Sequence, residues 1–148
     1  MTKAVQDLMI ENERVRDAFR TAVLDRDLDA ATALVADEVE LVALPDGPRT
    51  TGADALRRHL ADAVLPHLPD DLAVRRLSRT TDRWRVAEEV LVAFTHDRPL
   101  PWLLPDLPPT GRFVEVTAMS VVAVRRSRIT SHRTLWDRTG LLAQLYPG

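Results

Sequence analysis

Two residues carry the types needed for proton transfer without a cofactor. Glu89 opens the apolar run EVLVAFT, and His132 sits among Thr130, Ser131, Thr134 and Trp136 near the C-terminus. A carboxylate enclosed in an apolar cavity is harder to ionise, which suits it to act as acid or base near neutral pH. A histidine there could shuttle a proton or orient a substrate oxygen. The competing roles are structural: an ion pair with arginine for Glu89, and a hydrogen bond to a strand neighbour for His132. His96 stands at the end of its apolar run, where a turn or lid hydrogen bond explains it as well. Trp102 and Trp136 could stack on a ligand ring or fill the core. His59 falls on the polar flank of its segment and reads as surface.

Other chemistries lack their residues. With no cysteine in the chain, thiolate nucleophiles, disulfides and zinc–sulfur sites are excluded. No two of His59, His67, His96 and His132 have helical ligand spacing, so no metal is expected. Nor is there a phosphate loop, a serine elbow or a dinucleotide fingerprint, and no cofactor is expected. A formal net charge of −2 speaks against a nucleic-acid partner, which needs clustered Lys and Arg. No run approaches the roughly 20 apolar residues of a membrane span, and Met1–Arg20 has no signal-peptide core. A cytoplasmic protein is the default.

The elements that must position these residues follow from periodicity. Val5, Leu8, Met9, Val15, Phe19 and Val23 recur at three-and-four spacing and predict a helix over Lys3–Leu24. A second helix is expected over Leu28–Ala36 with Asp27 as its cap, and a third from Thr51 to Leu65, stopped by Pro66. Val39–Leu44 reads as a strand before the turn Pro45-Asp46-Gly47-Pro48. Four longer strands are expected at Leu72–Thr81, Trp84–Thr95, Phe113–Val124 and Ile129–Trp136, then a short helix at Thr139–Leu145. Asp137, just ahead of that helix, reads as its N-cap. Helices first and strands after give an α+β order in one domain spanning 1–148. The join Asp97–Gly111 holds five prolines yet is too apolar for a solvated loop. It must lie against the sheet, a cavity mouth or a second subunit.

Three pieces, Glu89–Asp97 (EVLVAFTHD), Trp102–Gly111 (WLLPDLPPTG) and Trp136–Leu145 (WDRTGLLAQL), resemble the SnoaL-like branch of the nuclear transport factor 2-like superfamily. The resemblance implies a cone-shaped barrel in which a strongly curved antiparallel sheet, closed by the N-terminal helices, encloses an apolar cavity. It also implies a homodimer formed through the outer sheet face. Side chains alternate along a strand, and comparison with the superfamily's epoxide hydrolases implies that the Glu89, Leu91, Thr95 set and the His132, Thr134, Trp136 set face the cavity. One bulge would reverse either assignment. Leu91, Ala93 and Thr134 stand where those hydrolases carry Arg and Asp, which disfavours epoxide hydrolysis.

The expected function is therefore a cofactor-free enzyme that cyclises, isomerises or dehydrates an apolar, polyketide-like small molecule. Glu89, His132 and Asp137 are the catalytic candidates. Trp102, Trp136, Thr95, His96, Leu91 and Thr134 are the candidates for substrate contact. The alternative is a non-catalytic binding or accessory protein with the same pocket.

Overall fold

A computed structural model describes residues 1–148. Helix α1 (Lys3–Leu24) is capped by Thr2, whose hydroxyl accepts from the Val5 N–H at 3.2 Å. Helix α2 (Leu28–Ala33) is capped by Asp27, which accepts from the Ala30 N–H at 3.0 Å. It ends three residues sooner than its apolar pattern predicts. The chain is already extended at Val35, which pairs with Ile129. β1 (Val35–Leu44) turns back into a short strand the sequence did not announce, β2 (Arg49–Thr51). Thr51 is thus not a helix cap: it pairs with Glu40 in the ladder. Helix α3 (Ala53–His59) starts instead from Gly52, whose φ of +94° is open only to glycine at little strain. A π-turn and a 3₁₀ turn carry this helix on to His67.

The sheet continues with β3 (Ala73–Thr81), β4 (Arg85–Thr95), β5 (Phe113–Arg125) and β6 (Arg128–Trp136), in the spatial order β2-β1-β6-β5-β4-β3. Two expectations need correction. The sheet is mixed, because β1 runs parallel to β6 while every other pair is antiparallel. It also stays open, with β2 and β3 as free edges, so the cone is curved but not closed into a barrel. Register shifts at Val35/Glu40, Arg76/Ser78 and Ala123/Val124 mark the bulges, which bend and twist strands so that one face turns concave.

Two apolar clusters fill that concavity. One gathers Val15 and Phe19 of α1 with Val39, Leu56, Leu60, Val122 and Ile129. The other gathers Val90, Val92 and Phe94 of β4, Val114 and Val116 of β5, and Leu141 and Leu145 of α4 (Arg138–Leu145). Leu100, Leu103 and Leu104 of the proline-rich join belong to the second cluster and are buried. Each contributes roughly 1.5–3 kcal/mol by leaving water. The join therefore packs against its own sheet and last helix, and its apolar residues do not call for a second subunit. Trp102 and Leu72 touch both clusters.

Candidate functional site

Between α1 and the concave face lies a cavity of about 170 Å³. Helix α1 contributes Arg16, Phe19, Arg20, Val23 and Leu24; β4 contributes Val90 and Val92; β5 contributes Ala118 and Ser120. His132, Thr134 and Trp136 of β6 and Trp102 of the join complete its working surface. The volume is close to that of an engineered apolar cavity that accepts benzene, so it suits a ring with modest substituents. Trp102 and Trp136 stand 5.6 Å apart between ring centroids, tilted by 57°, and form one aromatic wall.

Polar groups line the cavity beside that aromatic pair. His132 stacks at a tilt on Phe19, with centroids 5.8 Å apart, and its Nδ1 lies 3.3 Å from Thr134 Oγ1. Burial first, then the charges of Arg16 and Arg20, pull its pKa down to about 3, against a smaller opposing pull from Glu88. The ring is therefore neutral at physiological pH and can hold or release one proton at Nε2, according to which partner of the Nδ1 bond donates. Ser120, one strand over and paired with Thr134, has a buried hydroxyl with no hydrogen-bond partner in the chain.

The acidic residue on this side of β4 is Glu88. Its carboxylate is fully enclosed and held by three arginines. Arg20 Nη2 donates to Oε1 at 2.6 Å, Arg79 Nε donates to Oε2 at 2.9 Å, and Arg16 Nε stands 3.3 Å from Oε1 without hydrogen-bond alignment. Burial alone would push Glu88 up. The Arg20 hydrogen bond, the Arg16 charge and the Arg79 hydrogen bond outweigh it and hold the carboxyl at about 2. Held by three guanidinium groups and absent from the cavity lining, Glu88 fixes the two α1 arginines and is not placed to act as a base. Arg79 is shared outward with Glu13 and Asp17. Arg16, lowered to about 10 by burial and then by Arg20, remains charged.

Glu89 faces the other way. It pairs with Met119, which is exposed on the outer face, and its nearest polar partner is Ser78 Oγ at 3.5 Å. The even-numbered set Val86, Val90, Val92 and Phe94 buries better than Ala87, Leu91, Ala93 and Thr95, so it takes the core and sends Glu89 out. Leu91 and Thr95 go with it. Thr95 is tied to Asp71, donating from its hydroxyl at 2.6 Å and from its N–H at 2.9 Å. His96 is fully buried beside the join, where its Nδ1 accepts from the Thr110 N–H at 3.3 Å, and it does not line the cavity. Asp137 caps α4, accepting from the Gly140 N–H at 3.0 Å, and is exposed outside the cavity. The cavity thus brings together His132, Thr134, Trp136 and Trp102, and leaves out Glu89, Leu91, Thr95, His96 and Asp137. Arg16, Arg20 and Ser120 were not singled out in the sequence. The signal was available in part: Arg16 and Arg20 are four apart beside Val15, Phe19 and Val23, on the stripe that must face the sheet.

A family model for SnoaL-like polyketide cyclase matches residues 13–145. The chain belongs to this family. Solved structures agree on the fold at low identity. A protein assigned as a SnoaL-like polyketide cyclase from Jannaschia sp. CCS1 is 14% identical, with 95% of each chain covered and a TM-score of 0.77. A nuclear transport factor 2-like protein from Burkholderia xenovorans LB400 is 19% identical over 93% of this chain and 98% of that one, at 0.67. An LEH-like epoxide hydrolase from M. tuberculosis is 18% identical over 98% and 89%, at 0.68. No curated protein matches the sequence. SnoaL-like membership accounts for the helix-wrapped, open sheet, and no helix is long and apolar enough to cross a membrane.

Proposed function

We propose that the protein is a cofactor-free enzyme that moves a proton on an apolar small molecule, with cyclisation, isomerisation or dehydration as the outcome. Membership of the SnoaL-like cyclase family supports the general class. The observation that carries the reading is that the cavity lining contains one histidine and no carboxylate. His132, not Glu89, is then the base. In the tautomer that donates Nδ1–H to Thr134, Nε2 takes a proton from a carbon next to a carbonyl. The electron pair left behind moves onto the carbonyl oxygen as an enolate. Arg16, Arg20 and the unpartnered Ser120 hydroxyl line the same cavity and would supply the donors such an oxygen needs. The proton returns from Nε2 to another carbon in an isomerisation, or to a departing hydroxyl in a dehydration. Developing negative charge beside the imidazolium raises the basicity that burial had lowered, so the ring becomes a stronger base as the step proceeds.

Epoxide hydrolysis is disfavoured on new positions: the inward residues of β4 are Val90 and Val92, and no aspartate lines the cavity to activate water. We further propose self-association through the outer sheet face, where Leu77, Phe113, Met119, Val121 and Leu135 are exposed. A screen of cell extract incubated with wild type, His132→Asn and heat-killed protein tests the enzymatic reading. A compound converted only by wild type, to a product of equal mass or one water lighter, is the expected result. A compound retained unchanged by wild type and His132→Asn alike would make the protein a carrier.

A further inference from the structure

We infer that the molecule taken into the cavity carries a negative charge, as a carboxylate or an acidic enol, and docks it between Arg16, Arg20 and Ser120; this rests on the cavity being the ligand site. Arg16 and Arg20 lie one helical turn apart on α1, and both line the cavity. The carboxylate that holds them, Glu88, carries a single charge and is shared with Arg79. Arg79 has its own outward partners in Glu13 and Asp17, and Glu88 is the one carboxylate in ion-pair contact with the two cavity arginines.

The hydrogen bonding is short on the same side. The Arg16 side chain is only 5% exposed, yet its Nε has no aligned acceptor, and the buried Ser120 hydroxyl has none either. Buried donors without partners are uncommon and costly, and a net positive charge beside apolar walls is more so. His132 is neutral and adds no counter-charge. An anionic group would bring an acceptor to the side where Arg16 Nε and the Ser120 hydroxyl lack one and a second counter-charge for Arg16 and Arg20, while an apolar ring would meet Val90, Val92, Trp102 and Trp136. Selection would then come from the charge at one end and from ring shape at the other.

The test uses 4-ethylbenzoate and its near-isosteric neutral analogue 4-ethylbenzamide, titrated into wild-type protein by calorimetry at pH 7. The expected result is a preference of about tenfold or more for the carboxylate, as charged hydrogen bonds give. Carboxyl-¹³C 4-ethylbenzoate should also titrate, when bound, below its free pKa. Arg16→Gln and Arg20→Gln should each weaken the carboxylate far more than the amide and so remove most of the preference. The wild-type comparison and Ser120→Ala, with a smaller loss, decide the matter if the arginine variants do not fold. Equal or tighter binding of the amide would overturn the inference and leave the proton-transfer reading standing. Failure of both probes to bind would also overturn the inference; the proton-transfer reading is decided separately, by conversion of a metabolite by wild type and not by His132→Asn.

Discussion

Replacing Glu88 by Gln should be among the most damaging single changes, although it alters one atom. The side chain is fully enclosed and meets three guanidinium groups, two of them on α1 and one on β3. It therefore ties the first helix to the sheet across the cavity wall. The Glu88→Gln amide would keep the shape but leave the buried Arg16 and the half-buried Arg20 without their ion-pair partner. Breaking a buried pair in this way costs about 3–5 kcal/mol. With a urea dependence of about 2 kcal/mol per molar, typical of small domains, the unfolding midpoint should fall by about 1.5–2.5 M. Glu89→Gln is the matched control one residue away. Glu89 lies on the outer face with a distant serine as its polar neighbour, so that variant should stay within about 0.5 kcal/mol of wild type. Urea melts followed by far-ultraviolet circular dichroism at pH 7 compare the three proteins. Equal loss in both variants, or a larger loss in Glu89→Gln, would refute the assignment of the two faces of β4.

His132 should make the fold acid-labile. Its folded value of about 3 lies below the ordinary 6.5, so the unfolded chain takes up the proton first. The stability due to the neutral ring is complete above pH 6.5 and is lost as pH falls toward 3. Between pH 6.5 and 5, above the range where Glu88 begins to contribute in the same direction, the loss should be roughly 2 kcal/mol in wild type and largely absent in His132→Asn, read from urea midpoints. At α4, Asp137→Ala should cost about 1 kcal/mol and Asp137→Asn almost nothing, since Asn also caps helices well. Turnover should survive both changes, and its loss in Asp137→Asn would return that residue to the catalytic list. For the outer face, sedimentation velocity should show wild type self-associated at micromolar concentration and Met119→Glu monomeric. A monomeric wild type would remove the proposed dimer.

How much of this was legible in the sequence depended on whether one segment or several set the outcome. The periodic stripe of α1 and the cap at Asp27 are local signals, and both helices start where they are expected, although α2 stops three residues early. Thr51 misleads because the β1–β2 ladder, a tertiary contact, claims it and passes the helix start to Gly52. Parallel pairing of β1 with β6 joins residues about ninety apart, and no short-range pattern announces it. The cavity illustrates the same division. His132, Thr134 and Trp136 share a face by simple alternation, but which face of β4 turned inward was taken from a resemblance that one residue of offset reverses. The weight of Val90, Val92 and Phe94 against Leu91, Ala93 and Thr95 was the better guide. Glu88 shares the inward face with these residues. Its three arginines come from two elements far apart in the chain, so the cluster that sets the charge of the cavity is a product of folding.

The most direct test is conversion of the substrate found in the extract screen, run in deuterated water with wild type, His132→Asn and Glu89→Gln, and followed by mass spectrometry and proton NMR. Wild type and Glu89→Gln should give product at similar rates with deuterium at the carbon that exchanges its proton, while His132→Asn falls by about 10² or more. Undiminished turnover in His132→Asn, with loss of activity in Glu89→Gln, would contradict the placement of the base and with it the account of the cavity.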